Sequence, residues 1–198
     1  MEIKFFNKWS SAGINVVDPA LKKYINLSPL IVPKTGGRYT ETRFWKSKYT
    51  IVERLINKLM VPGHKGKKHF ITSGHICGKA AHSYKIVESV FKLIEEKTKK
   101  NPIEVFVKAV ENAAPREEIT TIEYGGARYP QAVDCSPQRR VDQAIKFMVQ
   151  GSFVKSFGKK ISIVESLSEE IISAYTLSNK SHAITKKFEL ERQSDGAR

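Results

Sequence analysis

Four histidines and a cysteine lie close together in the sequence and could hold a zinc ion. They are His64, His69, His75, Cys77 and His82. Imidazole nitrogens and thiolate sulfurs are ligands that Zn²⁺ prefers in proteins. The stretch lacks both the paired cysteines and the histidine spacing of a structural zinc site. We therefore expect no bound metal.

Two glycine-containing stretches in the same region resemble phosphate-binding loops. Residues 63–68 read Gly-His-Lys-Gly-Lys-Lys, and residues 74–80 end in Gly-Lys-Ala. Both have the wrong spacing for a P-loop, and neither has the Ser or Thr after lysine that would bind magnesium. Residues 63–66 also match the Gly-x-x-Gly loop with which KH domains clamp single-stranded RNA, although the sheet of a KH domain is not evident. A phosphate contact and an ordinary solvated turn both remain open here.

No group of side chains combines a nucleophile with a general base and a general acid at usable spacing. Cys77 and Cys135 lie far apart, without the spacing of a disulfide framework, which fits free thiols in a reducing compartment. The sequence therefore predicts a protein that is not an enzyme, has no catalytic residues and uses no cofactor.

The charge balance indicates a polyanionic partner. The 198 residues include 34 Lys and Arg against 20 Asp and Glu, for a net charge of +14. Residues 34–68 contribute +8 of this, whereas residues 101–135 carry a net −3. A localised excess favours a nucleic-acid surface, because phosphates release counterions when Lys and Arg neutralise them. A solvated face and a membrane surface are the alternatives, the latter weaker because no helix pairs a Lys-rich face with an aromatic one.

The apolar residues indicate a protein outside the membrane. No run of about 18 apolar residues occurs, and the first residues contain no long apolar stretch of a secretion signal. We therefore expect a soluble, unsecreted domain without membrane partners.

The first 50 residues predict an irregular basic arm. They show little periodicity and contain three prolines and the Gly36-Gly37 pair, which disfavour helices. One part alternates cations with aromatic rings: Arg38, Tyr39, Arg43, Phe44, Trp45, Lys46 and Lys48. Such cations can meet phosphates while the rings stack on unpaired bases. The two rings Phe44 and Trp45 could equally anchor the arm on the core.

Apolar stripes with helical spacing predict about six helices after residue 50. In the first, residues 51–60 supply the buried stripe, and Glu53, Arg54, Asn57 and Lys58 face away from it. Two later helices have an N-terminal signal, Asn101-Pro102 and Ser136-Pro137. Gly151 is predicted to end the second of them, and the last helix is predicted to bury Ile184 and Phe188.

Between the third and fourth predicted helices, the spacing of apolar residues changes from the helical 3.6 residues to the two residues typical of a β-strand. The β-prone runs 119–124 and 127–133 flank Gly125-Gly126, a pair typical of a tight hairpin turn. The sequence thus predicts a mainly α fold, a single bundle of about six helices with one protruding β-hairpin. Residues 1–50 would form the arm and residues 51–198 the helical domain, with the hairpin at about 119–134.

Several strings occur in the order found in one family. They are Arg38-Tyr39, Arg43-Phe44, Ile51 to Leu55, Asn101-Pro102, Asn112, Pro115-Arg116-Glu117, Gln131 to Asp134, Ser136-Pro137, Arg139-Arg140-Val141, Lys186-Lys187 and Glu189 to Arg192. Over roughly residues 20–193 the chain resembles the universal small-subunit ribosomal protein seven family. It looks like the eukaryotic and archaeal form, called small-subunit protein five in eukaryotes.

This resemblance implies a structural constituent of the small ribosomal subunit. Proteins like this bind the 3′ major domain of small-subunit rRNA, help to organise the head during assembly, and contact neighbouring ribosomal proteins. Their hairpin lies near the exit site, close to mRNA and exit-site tRNA. The implied location is the cytoplasmic ribosome, with nucleolar passage during assembly in a eukaryote. An RNA-processing or modifying factor and a dimeric helix-turn-helix DNA regulator are the alternatives.

Carried over position by position, the resemblance implies the following contacts. The rRNA-binding residues would be Arg38, Arg43, Lys46, Lys48, Arg54, Lys67, Lys68, Arg116, Arg139, Arg140, Lys186, Lys187 and Arg192. The hairpin tip at the exit site would comprise Gly125, Gly126 and Arg128. Two features depart from the family pattern. Residues 69–84 look like an insertion, and the tip is less basic than is usual in the family.

Overall fold

A computed structural model describes residues 3–63 and 78–198 of the chain. Its elements, in chain order, are α1 (Pro19–Lys22), a 3-10 helix (Trp45–Lys48), α2 (Ile51–Leu59), α3 (Ala80–Thr98), α4 (Pro102–Ala113), β1 (Glu117–Tyr124), β2 (Ala127–Asp134), α5 (Pro137–Ser156), α6 (Ile163–Tyr175) and α7 (His182–Asp195). The predicted mainly α bundle with one hairpin is confirmed. The additional helix, α1, is a single turn within the predicted arm. None of the helices described combines the length and apolar character needed to cross a bilayer.

Helix α6 occupies the middle of the bundle. It packs against α3, α4 and α5, and its Leu167 and Ile171 are fully buried. Its first turn is defined by a capping box, in which Ser162 and Glu165 satisfy each other's backbone N–H groups. Around it, Phe91, Phe106 and other large side chains fill one continuous core. The predicted start of α4 at Asn101-Pro102 is confirmed, because the side chain of Asn101 accepts a hydrogen bond from the Ile103 N–H.

The beginning of the chain belongs to this core. Phe5, Phe6 and Trp9 are buried, and the rings of Phe6 and Trp9 meet Phe91 edge-on at centroid distances of 6.1 and 5.8 Å. The Trp9 indole N–H donates to Glu95 at 3.0 Å. The arm is irregular, as expected, but its first residues are held by aromatic packing on α3.

Helix α2 is buried on more sides than its sequence predicts. Glu53 and Arg54 were expected to face away from the core, yet both are buried. The Glu53 carboxylate accepts hydrogen bonds from the backbone N–H and hydroxyl of Thr35, both at 2.8 Å. The Arg54 guanidinium donates to the Tyr24 carbonyl and to Asp142, both at 3.0 Å. The prediction is wrong because residues 24–35 of the arm and helix α5 cover the polar side of α2.

Gly151 lies inside α5 and does not end it. The helix continues to Ser156, five residues beyond the predicted end. A Cβ atom built on Gly151 would lie 2.5 Å from the Cβ of His182, at the first turn of α7. The glycine therefore permits a close approach of two helices.

Phe188 on α7 was predicted to be buried but is half exposed, whereas Ile184 is fully buried.

The hairpin is slightly longer than predicted and extends beyond the bundle. Tyr124 pairs with Ala127 across a two-residue turn, and Gly125 and Gly126 have φ of 58° and 82°, which glycine adopts without strain. Residues 120–131 are all exposed. The base of the ribbon packs on α7, and Glu117 there pairs with Arg198. The predicted protruding ribbon is thus confirmed.

Cys135, immediately after the hairpin, is a free thiol as expected. Burial raises its pKa to about 11, with the nearby Glu118 carboxylate acting in the same direction. The thiol therefore stays protonated at neutral pH and is a poor nucleophile. Cys77, the other predicted free thiol, and the histidines at 64, 69 and 75 lie outside the described residues.

Removing the charge of Asp142 should destabilise the fold, because it leaves the buried Arg54 without its counter-ion. We expect Asp142→Asn to lower the free energy of unfolding by about 1–3 kcal/mol, measured by urea denaturation. Glu123→Gln is the matched control, since the Glu123–Arg128 pair lies exposed at the hairpin tip. It should change stability by less than about 0.5 kcal/mol. Equal effects of the two substitutions would contradict a buried role for Arg54.

A methyl group at Gly151 should force α5 and α7 apart. In an open helical position alanine would be favoured over glycine by about 1 kcal/mol. At this position we expect Gly151→Ala to cost about 1–3 kcal/mol of unfolding free energy, measured by thermal denaturation. Gly196→Ala is the control, because the nearest atom to its added Cβ is 3.6 Å away. A Gly151→Ala protein as stable as the parent would show that the helices do not meet there.

Candidate nucleic-acid interface

The described residues form an open cleft between the 3-10 helix region and the start of α5. Its volume is about 520 Å³. It is lined by Arg43, Phe44, Lys46, Lys58, Ser136, Gln138, Arg139, Asp142, Gln143 and Lys146. Three separate elements supply these side chains: the segment leading into α2, the last turn of α2, and the first three turns of α5. We refer to this as the basic cleft.

Cations outnumber acids in the basic cleft. Its five Lys and Arg residues face one lining carboxylate, Asp142. That carboxylate is shared between Lys46 at 2.9 Å and the buried Arg54 at 3.0 Å. Arg139 also pairs outside the lining, with Glu118 on the hairpin, and that hydrogen bond raises the Arg139 pKa. The remaining positive charge gives the cleft a potential that attracts anions.

Lys58 has other cations of the basic cleft as neighbours. Burial lowers the pKa of this half-buried lysine, and the positive charges of Lys146 and Lys46 lower it further. A bound anion would relieve this repulsion and favour the charged form of Lys58. The cleft is therefore electrostatically suited to phosphate.

The N-terminus of α5 adds to this potential. Ser136 is its N-cap residue, but contrary to the predicted cap its side chain makes no capping hydrogen bond. The first turn contains no acidic residue, so nothing in it neutralises the positive end of the helix dipole. Exposed N–H groups at such a helix end are suitable donors to phosphate oxygens.

The aromatic residues beside the cleft have separate roles. Lys48 lies over the ring of Trp45, 3.9 Å from its centroid, in a cation–π contact. Trp45 in turn meets Tyr39 edge-on, and Tyr39 meets the buried Tyr49. Phe44 is different, with 68% of its surface exposed. The interpretation of Phe44 as a core anchor is therefore wrong, whereas Trp45 is partly held by its neighbours.

A second groove lies around the junction of α4, α5 and α7. Its charged lining residues are four cations and two acids: Lys108, Arg116, Arg140, Lys187, Asp18 and Glu111. Lys187 donates to the Asn112 carbonyl at 2.9 Å, and burial lowers its pKa. Positive and negative side chains are more evenly matched here than in the basic cleft.

Two of the predicted rRNA contacts point into the protein. Arg54 is 4% exposed and makes the contacts to Tyr24 and Asp142 described above. Arg140 is 8% exposed, donates to the Pro115 carbonyl at 3.2 Å and pairs with Asp18 at 2.8 Å. Both guanidinium groups thus have internal partners.

The structure brings together some of the other predicted residues. Arg43, Lys46 and Arg139 meet in the basic cleft, with Lys48 on the aromatic residues beside it. Arg116, Arg140 and Lys187 meet in the second groove. Three predicted residues line neither the basic cleft nor the second groove. They are Arg38 and Arg192, which are exposed, and Lys186, which pairs with Glu189 at 2.5 Å. Lys67 and Lys68 lie outside the described residues.

Lys58 and Lys146 are cleft residues that sequence reasoning missed. The apolar stripe of α2 predicts Lys58 on the polar side of the helix and assigns it no role. Lys146 lies three residues after Gln143 and seven after Arg139, spacings that put all three on one side of a helix. This periodicity in α5 is the signal that could have identified Lys146.

The hairpin tip carries little net charge. Glu123 and Arg128 face each other across the strands and approach to 3.5 Å. Ile122, Tyr124 and Tyr129 are exposed, and Ile122 is paired with Tyr129. Because residues two apart in a strand share a face, these three side chains lie on one face of the ribbon.

Comparison with known proteins agrees with this architecture. The family model described as ribosomal protein S7p/S5e matches residues 21–198. The chain is 57% identical over 198 residues to "Small ribosomal subunit protein uS7" from Nanoarchaeum equitans (strain Kin4-M), and the alignment covers all of both chains. It therefore belongs to the ribosomal protein S7p/S5e family, whose members are structural constituents of the small ribosomal subunit and not enzymes.

Proposed function

We propose that this protein binds the 3′ major domain of small-subunit rRNA and holds it in the form needed for assembly of the subunit head, with the basic cleft as a principal contact. The observation that carries the proposal is the excess of cations in a cleft with one lining carboxylate. Family membership supports the small subunit as the site of action. The same membership disfavours the alternatives of a processing enzyme and a DNA regulator.

The proposed mechanism is neutralisation of phosphates by cations that are already in position. Each Lys or Arg that meets a phosphate releases condensed counterions, so binding is driven partly by their entropy. Arg43, Lys58 and Lys146 are the cleft cations for which the described residues show no ion pair. We therefore assign the phosphate contacts first to these three.

The buried arginines act differently in this proposal. Arg54 links α2 to α5 through Asp142, and Arg140 links the arm to α5 through Asp18. They hold the walls of the basic cleft and of the second groove in fixed positions. Geometry set before binding lowers the entropic cost of association and favours one RNA shape over others.

For the hairpin we propose a contact near the exit site, with mRNA and tRNA as its partners. The paired Glu123 and Arg128 make phosphate contact at the tip unfavourable compared with the basic cleft. The exposed rings of Tyr124 and Tyr129 offer surfaces on which bases can stack. In a eukaryotic cell the protein would also pass through the nucleolus during assembly.

Removing two cleft lysines should reduce the salt dependence of RNA binding. We expect the Lys58→Ala/Lys146→Ala protein to bind a transcript of the archaeal 3′ major domain more weakly. The slope of log K against log salt should be smaller by about 1.5–2 units, because two phosphate contacts are lost. The affinity would be measured by filter binding over a range of salt concentrations.

The control for this experiment removes two exposed lysines outside the cleft. Lys97→Ala/Lys159→Ala has the same change in net charge but should keep the parental slope. Equal slopes for the two double variants would exclude the cleft as a specific contact. Parental protein that bound a 5′-domain transcript as tightly as the 3′ transcript would contradict the proposed function itself.

Shortening the hairpin should weaken the exit-site contact without affecting folding or rRNA binding. Replacing residues 121–130 with Asn-Gly joins Thr120 to Gln131, which already pair across the ribbon. Since residues 120–131 are exposed, we expect the midpoint of thermal unfolding and the 3′-domain affinity to stay close to the parental values. Crosslinks from assembled subunits to mRNA or exit-site tRNA should decrease. Loss of folding would contradict a ribbon that is independent of the core.

A further inference from the structure

We infer that the basic cleft is a binding site for one unpaired ribonucleotide, whose base stacks on Phe44 and whose phosphate lies among the cleft cations. The inference deepens the proposed function, on which it rests, by assigning the cleft a specific ligand group. The volume of the basic cleft, about 520 Å³, is within the range of about 300–1,000 Å³ typical of small-ligand sites.

Phe44 offers the surface on which a base can stack. Its ring lines the cleft and is 68% exposed, which leaves a large apolar surface in water. Its backbone has φ 66° and ψ −8°, the left-handed region that a bulky residue rarely adopts. Such a conformation persists only where surrounding contacts impose it, and it is found preferentially at functional sites.

The contacts that impose this conformation are visible. The Phe44 carbonyl accepts hydrogen bonds from the Ser47 N–H at 3.1 Å and from the Ser47 hydroxyl at 2.7 Å. The 3-10 helix that follows therefore fixes the backbone below the ring. Because the backbone that bears the ring is already fixed, less conformational entropy is lost when a base stacks on it.

Two glutamine side chains in the cleft can donate hydrogen bonds to the same ligand or accept them from it. Gln138 and Gln143 line the cleft, and in each the Oε1 atom is buried and without a hydrogen-bond partner among the residues described. A buried acceptor left unsatisfied is unfavourable, and rotation of the amide can turn either of its ends toward a ligand. The hydroxyl of a ribose and the polar edge of a base are groups that such amides bind.

The phosphate completes the site. Lys58 and Lys146 both line the cleft, and the positive charge of Lys146 adds to burial in lowering the pKa of Lys58. The N-terminus of α5, which has no capping side chain, opens into the same cleft at Ser136. An acidic peptide would satisfy the cations but would use neither the exposed ring nor the amides. A ribonucleotide satisfies all three, and for this reason we assign it to the cleft.

The test uses the full chain with the 3′ major domain transcript and reads the RNA at nucleotide resolution by 2′-hydroxyl acylation. Phe44→Leu keeps the charge and most of the apolar volume but removes the aromatic face, whereas Phe44→Trp keeps it. We expect the parental protein to protect one unpaired nucleotide that Phe44→Leu leaves reactive. Affinity should fall about tenfold in Phe44→Leu, as for one lost stacking contact, with an unchanged salt slope. Phe44→Trp should restore both the protection and the affinity.

Gln143→Leu provides a second, independent measurement. We expect it to weaken binding several-fold and to expose the same nucleotide, again without a change of salt slope. The midpoint of thermal unfolding of each variant would be compared with that of the parent, to separate a loss of RNA contact from a loss of folding.

Two results of the RNA-binding measurements would overturn the inference. One is parental affinity and an unchanged footprint in Phe44→Leu, and the other is a defect that Phe44→Trp does not repair. In both cases binding of the parental protein to the 3′ domain would leave the proposed function standing. If Phe44→Leu instead loses a crosslink to a neighbouring ribosomal protein while the RNA footprint is intact, the cleft is a protein contact and the nucleotide site is wrong.

Discussion

The carboxylate of Asp142 joins helix α5 to the arm and to helix α2, which are both distant from it in sequence. It pairs with the buried Arg54 of α2 and with Lys46 of the arm, and it projects from α5 into the basic cleft. A buried guanidinium without a counter-ion is strongly unfavourable, so the positions of α2 and α5 are coupled. The shape of the cleft, and therefore the placement of its other cations, depends on this one acid.

The pairing of Arg140 with Asp18 repeats the arrangement on another side of α5. There the acid also caps α1, where it accepts a hydrogen bond from the Ala20 N–H. A chain with a net charge of +14 must keep its cations apart or pair them, because uncompensated charge destabilises the compact state. This protein pairs the buried arginines with aspartates and leaves much of the cleft charge uncompensated. After burial, the charges of Lys146 and Lys46 lower the pKa of Lys58 further, and this repulsion is available to stabilise a complex with RNA.

The bundle and the hairpin offer two different kinds of surface. The cleft is concave, cationic and supported by helices on both sides, which suits a folded RNA of fixed shape. The ribbon is narrow, exposed on both faces and nearly neutral at its tip, which suits contact with a partner whose position is set by other components. The attachment of the ribbon to α7 and to Arg198 at its base gives it a defined direction without a core of its own.

Features that depend on neighbours along the chain could be predicted from the amino-acid sequence. The helical stripes, the cap at Asn101 and the Gly125-Gly126 turn are local signals, and each predicts its element correctly. The ordered family strings were equally readable, because they depend on residue identity alone.

Tertiary structure decided which charges are internal. Arg54 and Arg43 are the same residue type in the same basic stretch, yet only Arg54 meets an aspartate from a helix 88 residues away. It also decided that Gly151 continues a helix, since the reason for a glycine there is the first turn of α7 pressing against it. Such outcomes rest on partners remote in sequence, which no local pattern encodes.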